Sequence, residues 1–374
     1  MSRLNSFLAG VKVLDLSQYI PGPMASLVLA DMGAEVLKVE PPGGDEMRHL
    51  GPRGPDGAPV FYGALNAGKS VLRLNLKEPD ARAEFLRLVP DYDVLLEGFR
   101  PGVMERLGID YPRLGAINPR LVYCSISGFG AEGVSVAKAA HDGNYLAESG
   151  VLDRNGTDGP AFFDPPLSDV AGSLYAALAI LGALHGRERT GRGCLIDLGL
   201  ADVVMPLQMM QVADWGANGH VPKPRTTYLN GGAAYYQIYR LKDGRHVMLG
   251  AVEPKFWRAF CTAAGRADWI ARQAEPTPQT ALTADVAAFF FGLDFAEALE
   301  RFERVDCCFS PVLDLGEALS SEQTRARGLV RAGSRPDDLQ ALFPAYVDGE
   351  PPGSRRQLTP FLPAGRDTDV NSHP

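Results

Sequence analysis

Several signals are missing from this chain, and each absence removes a class of function. Its five cysteines, Cys124, Cys194, Cys261, Cys307 and Cys308, are odd in number and contain no CxxC pair. Adjacent Cys307 and Cys308 form a poor geometry for a disulfide, so a reducing compartment, the cytoplasm, is expected. The six histidines (His49, His141, His185, His220, His246 and His373) show neither HExxH nor paired spacing. No metal site is legible. Basic residues are not in excess: 37 Lys and Arg stand against 45 Asp and Glu, a net charge of −8. That balance argues against nucleic acid or an anionic membrane as partner, since no basic stripe meets phosphate. The N-terminal apolar run is too short for a signal peptide. The most apolar segment, Ala171 to Leu184, ends at His185 and Arg187 and reads as too short to span a bilayer. Finally, Pro21-Gly22-Pro23 follows the first strand where a GxGxxG dinucleotide fingerprint would stand.

What is present is an ordinary globular composition, 45% apolar and 22% charged, over 374 residues. That length outgrows one core, so two domains are expected. The first two hundred residues alternate β-rich runs with helical patterns. Strands are predicted at Val11–Leu16, Glu35–Val39, Val71–Leu76, Val94–Leu96, Leu121–Ile126 and Leu195–Leu198. Helices are predicted at Met24–Met32 and Pro79–Leu88, with a mostly buried one from Asp169 to Leu184. Such alternation is the pattern of an α/β fold with a parallel sheet built from βαβ units. A large domain over residues 1–215 is followed by a Gly, Pro, Asn and Thr-rich linker at 216–232. Residues 233–325 then read as a smaller α+β domain, with helices at Phe256–Ala264, Ala281–Phe291 and Phe295–Phe302. The tail after Glu350 is extended.

Gly63-Ala-Leu-Asn-Ala-Gly68-Lys69-Ser70 matches the phosphate-loop pattern GxxxxGK[ST] letter for letter. That loop works only between a strand and a following helix, whose N-terminus faces the phosphate. Here a strand follows, so nucleotide hydrolysis is not expected, although Lys69 remains a point charge suited to a phosphate. Three acid/base candidates stand out by context. His141 precedes Asp142 just past a glycine-bearing loop. Asp169 follows Ser168, read as an N-cap, where helix amides favour its anion. Glu253 lies between a strand and a helix. Each also has a bland reading: a first-turn aspartate is most often only a cap, a lone histidine is usually structural, and Glu-Pro commonly starts a helix. Likewise Met205, Met209 and Met210 read as core residues.

The longer motifs carry more. LAGVKVLDLSQYIPGPMASLVLADMGAEVLKVEPPGGD, LNAGKSVLRLNLK, DVLLEGFRPGVMERLG, the turn Ser127-Gly128-Phe129-Gly130, AHDGNY, SDVAGSLYAALAILGALHGRERTGRG and NGGAAYYQIYRLKDGRHVMLGAVEPKFW together resemble family III CoA-transferases of the CaiB/BaiF type. Within them the chain most resembles the α-methylacyl-CoA racemases. The resemblance implies a Rossmann-like large domain, a small domain reached by linkers, and an interlocked homodimer. It also implies that residues 326–374 return to the large domain. The implied ligand is a CoA thioester, with no separate cofactor or metal. In the transferases the aspartate matching Asp169 attacks the acyl-CoA to form an anhydride. In the racemases it partners the histidine of a His-Asp motif, matched by His141-Asp142, with a glutamate matched by Glu253. Presence of all three favours racemisation through an enolate, with CoA transfer between carboxylic acids as the alternative. A catalytically silent acyl-CoA-binding protein is a third reading, disfavoured by the same three residues. For CoA, the resemblance carries over to Lys69, Arg100 and Arg106 at its phosphates or adenine, and to Asp142 and Tyr145 nearer the thioester. Two departures stand out. Asp169 is followed by Val170-Ala171-Gly172-Ser173 rather than a glycine run, and Glu40 by Pro41 rather than a basic residue.

Overall fold

A computed structural model describes residues 3–157, 159–333 and 338–361. In chain order it runs β1 (Lys12–Asp15), α1 (Pro21–Asp31), β2 (Glu35–Glu40), α2 (Val60–Asn66), β3 (Ser70–Arg73), α3 (Pro79–Leu88), β4 (Val94–Glu97), α4 (Val103–Leu107), α5 (Tyr111–Ile117) and β5 (Val122–Ser127). There follow α6 (Asp142–Glu148), α7 (Leu167–Thr190), β6 (Cys194–Gly199), α8 (Val204–Leu207), α9 (Met209–Asn218), β7 (Tyr236–Arg240), β8 (His246–Gly250) and α10 (Pro254–Ala263). The remainder is α11 (Thr280–Phe291), α12 (Phe295–Phe302), β9 (Phe309–Pro311), α13 (Leu315–Ser320), α14 (Glu322–Arg327), β10 (Val330–Ala332), β11 (Leu339–Ala341) and β12 (Thr359–Pro360).

The chain forms two compact units. Unit 1 comprises Met1–Tyr145, Pro165–Pro206 and Glu322–Pro374; unit 2 comprises Leu146–Asp164 and Leu207–Ser321. Residues 146–164, which the sequence reading keeps in the large domain, thus belong with the second unit. Arg154 donates to Gln208 at 2.6 Å and Lys223 pairs with Asp153 at 2.7 Å, which tie them there.

Unit 1 is built on a seven-stranded sheet of order β12-β3-β2-β1-β4-β5-β6, with every neighbouring pair parallel. Strands β1 to β6 therefore follow the doubly wound order 3-2-1-4-5-6, whose direction reverses between β1 and β4. Buried runs such as Val13-Leu14 and Val94-Leu95-Leu96 are what two-sided cover of a parallel sheet requires. The tail reaches the sheet edge: Thr359 and Pro360 pair with Ser70 and Val71, and Arg355 donates through Nε and Nη2 to the two carboxylate oxygens of Asp31, each at 2.7 Å. Residues 362–374 of the expected returning segment lie outside the described residues.

Helix α7 corrects the sequence reading in three ways. It spans 24 residues and is long and apolar enough to cross a membrane by length and composition. It packs instead on α1, β5 and β6 within unit 1. Small residues, Ala171, Gly172, Ser173, Ala176 and Ala177, make that buried face, because close helix packing needs short side chains. Of the leucine row Leu174, Leu178, Leu181 and Leu184 on a helix expected to be mostly buried, Leu184 is buried, whereas Leu178 is 63% exposed and Leu174 is half exposed in the single chain. Met205, Met209 and Met210, expected in the core, are also exposed.

Unit 2 contains an antiparallel sheet of order β7-β8-β9. Its core is aromatic, with Tyr239, Trp257, Phe260, Trp269, Phe290 and Phe302 packed together and buried. The expected α+β composition of this region is present.

Candidate active site

In a doubly wound sheet, ligands bind outside the carboxyl ends of the strands, near the point where strand order reverses. The loops after β1 and β4 meet there. Leu16 donates its amide to Leu96 O at 2.8 Å, and a Cβ at Gly98 would stand 3.5 Å from Ser17 Cβ. Gly22 makes the turn into α1 possible, since a Cβ would come within 2.1 Å of Ser17 Cβ. Arg100 is exposed in the loop following β4. Glu97 anchors that loop by accepting the Phe99 amide at 2.8 Å. Burial pushes the Glu97 carboxyl up to about 7. Arg106, also exposed, sits near the end of α4, its Nη1 3.0 Å from where a Gly102 Cβ would be. Both predicted arginines therefore flank the switch point.

Lys69 does not. Its side chain is wholly buried at the start of β3. It donates to Pro23 O at 2.8 Å, Asn66 Oδ1 at 2.9 Å and Asp15 Oδ2 at 3.2 Å. Three donors meet three protein acceptors, leaving none for a phosphate, so the expected CoA contact is corrected to a structural role. Burial lowers its pKa to about 8 despite the attraction of Asp15. Buried Lys38 pairs with Asp45 at 2.9 Å in the same cluster. Burial alone would raise the Asp15 carboxyl; Lys38, Lys69 and the hydroxyls of Ser17 and Ser26 hold it down at about 2. The pattern Glu-Val-Leu-Lys-Val-Glu at 35–40, a lysine inside an interior strand, was the available sequence signal for this cluster. The phosphate-loop lookalike is likewise inverted: its first four residues end α2 and its last begins β3.

Two of the three acid/base candidates, His141 and Asp169, lie at the carboxyl ends of β5 and β6. Leu200 and Ala201 donate amides to Ser127 O and Gly128 O at 2.8 and 2.9 Å. Ser168, buried, donates its hydroxyl to Leu200 O at 2.6 Å, which anchors the start of α7 there. Ser168 is therefore not the N-cap; Pro166 occupies that position and makes no side-chain cap. The cap comes from another helix. Asp142 Oδ1, on the first residue of α6, accepts the Ser168 amide at 2.6 Å and the Asp169 amide at 3.1 Å. Asp169 is half-buried in the first turn of α7. Burial, reinforced by the neighbouring Asp142 charge, raises its carboxyl from 3.8 to about 7. Thus an acid expected to be stabilised as an anion is instead poised near neutrality.

His141 immediately precedes Asp142, is exposed, and donates its backbone amide to Asn144 Oδ1 at 3.0 Å. Tyr145 is buried, donates its hydroxyl to Ala140 O at 3.0 Å and meets Phe129 edge-on. Burial first, then Asp169 and Asp142, push its phenol up to about 12, while Arg100 pulls the other way. Arg100, Tyr145, Asp142 and Asp169 thus share one electrostatic neighbourhood. Glu253 belongs to unit 2, where it is exposed at the N-cap of α10 without a side-chain capping bond. Among the described residues, no group of three His, Cys, Asp or Glu is placed to hold a metal ion.

A doubly wound fold with a poised carboxyl at the carboxyl edge of its sheet defines an α/β enzyme site. The chain matches CoA-transferase family III over residues 8–368 and belongs to that family. It is 36% identical to the human α-methylacyl-CoA racemase over 331 residues, covering 86% of this chain and 81% of that protein. It is also 34% identical to the acetyl-CoA:oxalate CoA-transferase of Acetobacter aceti over 338 residues, covering 87% of this chain and 85% of that protein. Among solved structures, a CaiB/BaiF family protein from Brucella suis superposes with a TM-score of 0.82 at 28% identity, over 94% of this chain and 96% of that one. Racemases and CoA-transferases both stand among the relatives.

Proposed function

We propose that the protein is a racemase of 2-methylacyl-CoA thioesters, working by α-proton removal and return through an enolate. The observation that carries this reading is the placement of Asp169, half-buried in the first turn of α7 with its amide 3.1 Å from Oδ1 of Asp142 in the His141-Asp142 turn, where burial raises its carboxyl to about 7. Inversion needs two groups flanking the α-carbon, each base in one direction and acid in the other. A carboxyl titrating near neutrality serves both roles, whereas one with an ordinary pKa is a poor acid at that pH. His141 is assigned to the opposite face and Glu253 to pairing with it, fixing its tautomer and basicity. Arg100 and Arg106 are assigned to the CoA phosphates or adenine, and Tyr145 to the region of the thioester. The chemistry calls on no cofactor beyond the thioester itself. We further assign the protein to the cytoplasm, as an interlocked homodimer in which a second chain covers the exposed apolar residues of α7 and α9.

CoA transfer is the second reading, supported by transferase relatives of similar identity. There Asp169 would attack the acyl-CoA, and His141 would be dispensable. One experiment separates the two. The protein is placed in deuterium oxide with one epimer of a 2-methylacyl-CoA and no acceptor acid, and proton NMR follows the α-proton and its stereochemistry. Exchange with inversion is expected, falling about 100-fold or more in both Asp169→Asn and His141→Ala. CoA movement only after a carboxylate such as succinate is added, with His141→Ala active, would establish transfer instead.

A further inference from the structure

We propose that Asp142 is the positioning residue for Asp169: its carboxylate occupies the two α7 amides that would otherwise solvate the Asp169 anion and sets a negative charge beside it. Asp169 can then both give and take a proton. This role differs from the CoA contact expected of Asp142, and it rests on the reading that Asp169 is a proton-exchanging group.

The geometry is asymmetric in an informative way. The first turn of a helix presents unpaired amides, and a first-turn carboxylate is normally stabilised by them. Both of those nearest Asp169, its own and that of Ser168, are already taken by Oδ1 of Asp142, at 3.1 and 2.6 Å. The Ser168 hydroxyl is also withdrawn, since it donates to Leu200 O at 2.6 Å. Asp169 therefore stands at a positive helix end whose two nearest amide donors are already taken. From α6 it is faced by Asp142 and the Tyr145 phenol, and Arg100 in the loop after β4 acts on Tyr145. Tyr145 is itself neutral at working pH, its hydroxyl committed to Ala140 O. The charge that acts on Asp169 from a packed neighbour is that of Asp142, and it adds to burial. His141 precedes Asp142, so one turn of chain both presents the histidine and sets the behaviour of its partner acid.

The test uses the full chain with 13C-labelled aspartate and infrared titration, the Asp169 band being assigned by its loss in Asp169→Asn. Asp142→Asn keeps an oxygen acceptor for the two amides and removes the charge. Its Asp169 midpoint is expected about one unit or more lower than in the wild type. The acidic limb of the kcat profile for α-proton exchange should move with it, while KM for the thioester stays put. An unmoved midpoint, or a raised KM with an unmoved profile, overturns the proposal in favour of a structural cap or a CoA contact. Should Asp142→Asn not fold, Asp142→Ser, a short neutral acceptor, carries the same expectation and the same overturning result. The infrared midpoint needs no substrate. Absence of α-proton exchange would therefore sink the racemase reading and leave this test standing.

Discussion

Asp169 shows how one carboxyl turns burial into both chemistry and a pH-dependent cost. Its folded value is raised from 3.8 to about 7. Between those values the folded chain holds a proton that the unfolded chain has released. The corresponding stability is fully present below about pH 4 and is lost as pH rises towards 7. Asp169→Asn removes the titration. Its Tm should match that of the wild type near about pH 4 and exceed it near about pH 8, a difference on the order of 1–3 kcal/mol in favour of the variant. Calorimetry at the two pH values checks this, and a variant that is less stable at the higher pH would contradict it. At this scale the sequence was legible in identity and not in environment. Asp169 was visible as a first-turn acid, yet its expected stabilisation as an anion was reversed. Burial does most of the reversing, and the charge that adds to it, Asp142, lies 27 positions away and meets it only through the packing of α6 against the start of α7.

Among elements, the β3 edge illustrates how a motif can be read correctly as a failure and still mislead about one residue. The segment 63–70 lacks the helix a phosphate loop needs after it, since it runs from the end of α2 into β3. Lys69 is not a free point charge for a phosphate, because its ammonium links the α2–β3 junction to Asp15 on β1 and Pro23 on α1. Removing one partner of a buried pair leaves the other charge uncompensated, at a cost of about 3–5 kcal/mol. Lys69→Met should therefore lower unfolding free energy in urea by about that amount, with CoA affinity of the folded fraction unchanged. A stable variant with weakened CoA binding would return Lys69 to the ligand. Helix α3 and helix α12 have the limits predicted from periodicity, Pro79–Leu88 and Phe295–Phe302. Both carry local start signals: Pro79 at the first position of one, and a capping box from Asp294 and Glu297 at the other. Helix α7 begins two residues before its predicted start, where a distant residue caps it without any local signal, and runs on to Thr190, where Gly191 takes the left-handed conformation.

Across the whole molecule, the largest unexplained feature of the single chain is apolar exposure. Leu174 and Leu178 on α7, and Met209, Met210, Val212 and Trp215 on α9, all stand open. Exposed apolar groups on this scale mark surfaces that bind something, and the proposed second copy of the chain accounts for them. Light scattering should give the mass of a dimer at micromolar concentration, and Leu178→Glu should shift it towards monomer or aggregate. A monomeric wild type would remove the interlocked dimer from the account.

Hydrophobic patterning along the chain was enough to predict the α/β class and the order of the six strands in the first two hundred residues, and the long matched motifs pointed to the family. These depend on local periodicity, turn residues and long matched motifs, all carried by neighbours in sequence. Tertiary structure alone decided which charges are buried, which face of α7 packs, and what surrounds Asp169. A carboxyl's proton affinity depends on solvent exclusion and on charges within a few ångströms, and those are supplied by segments far apart in the chain.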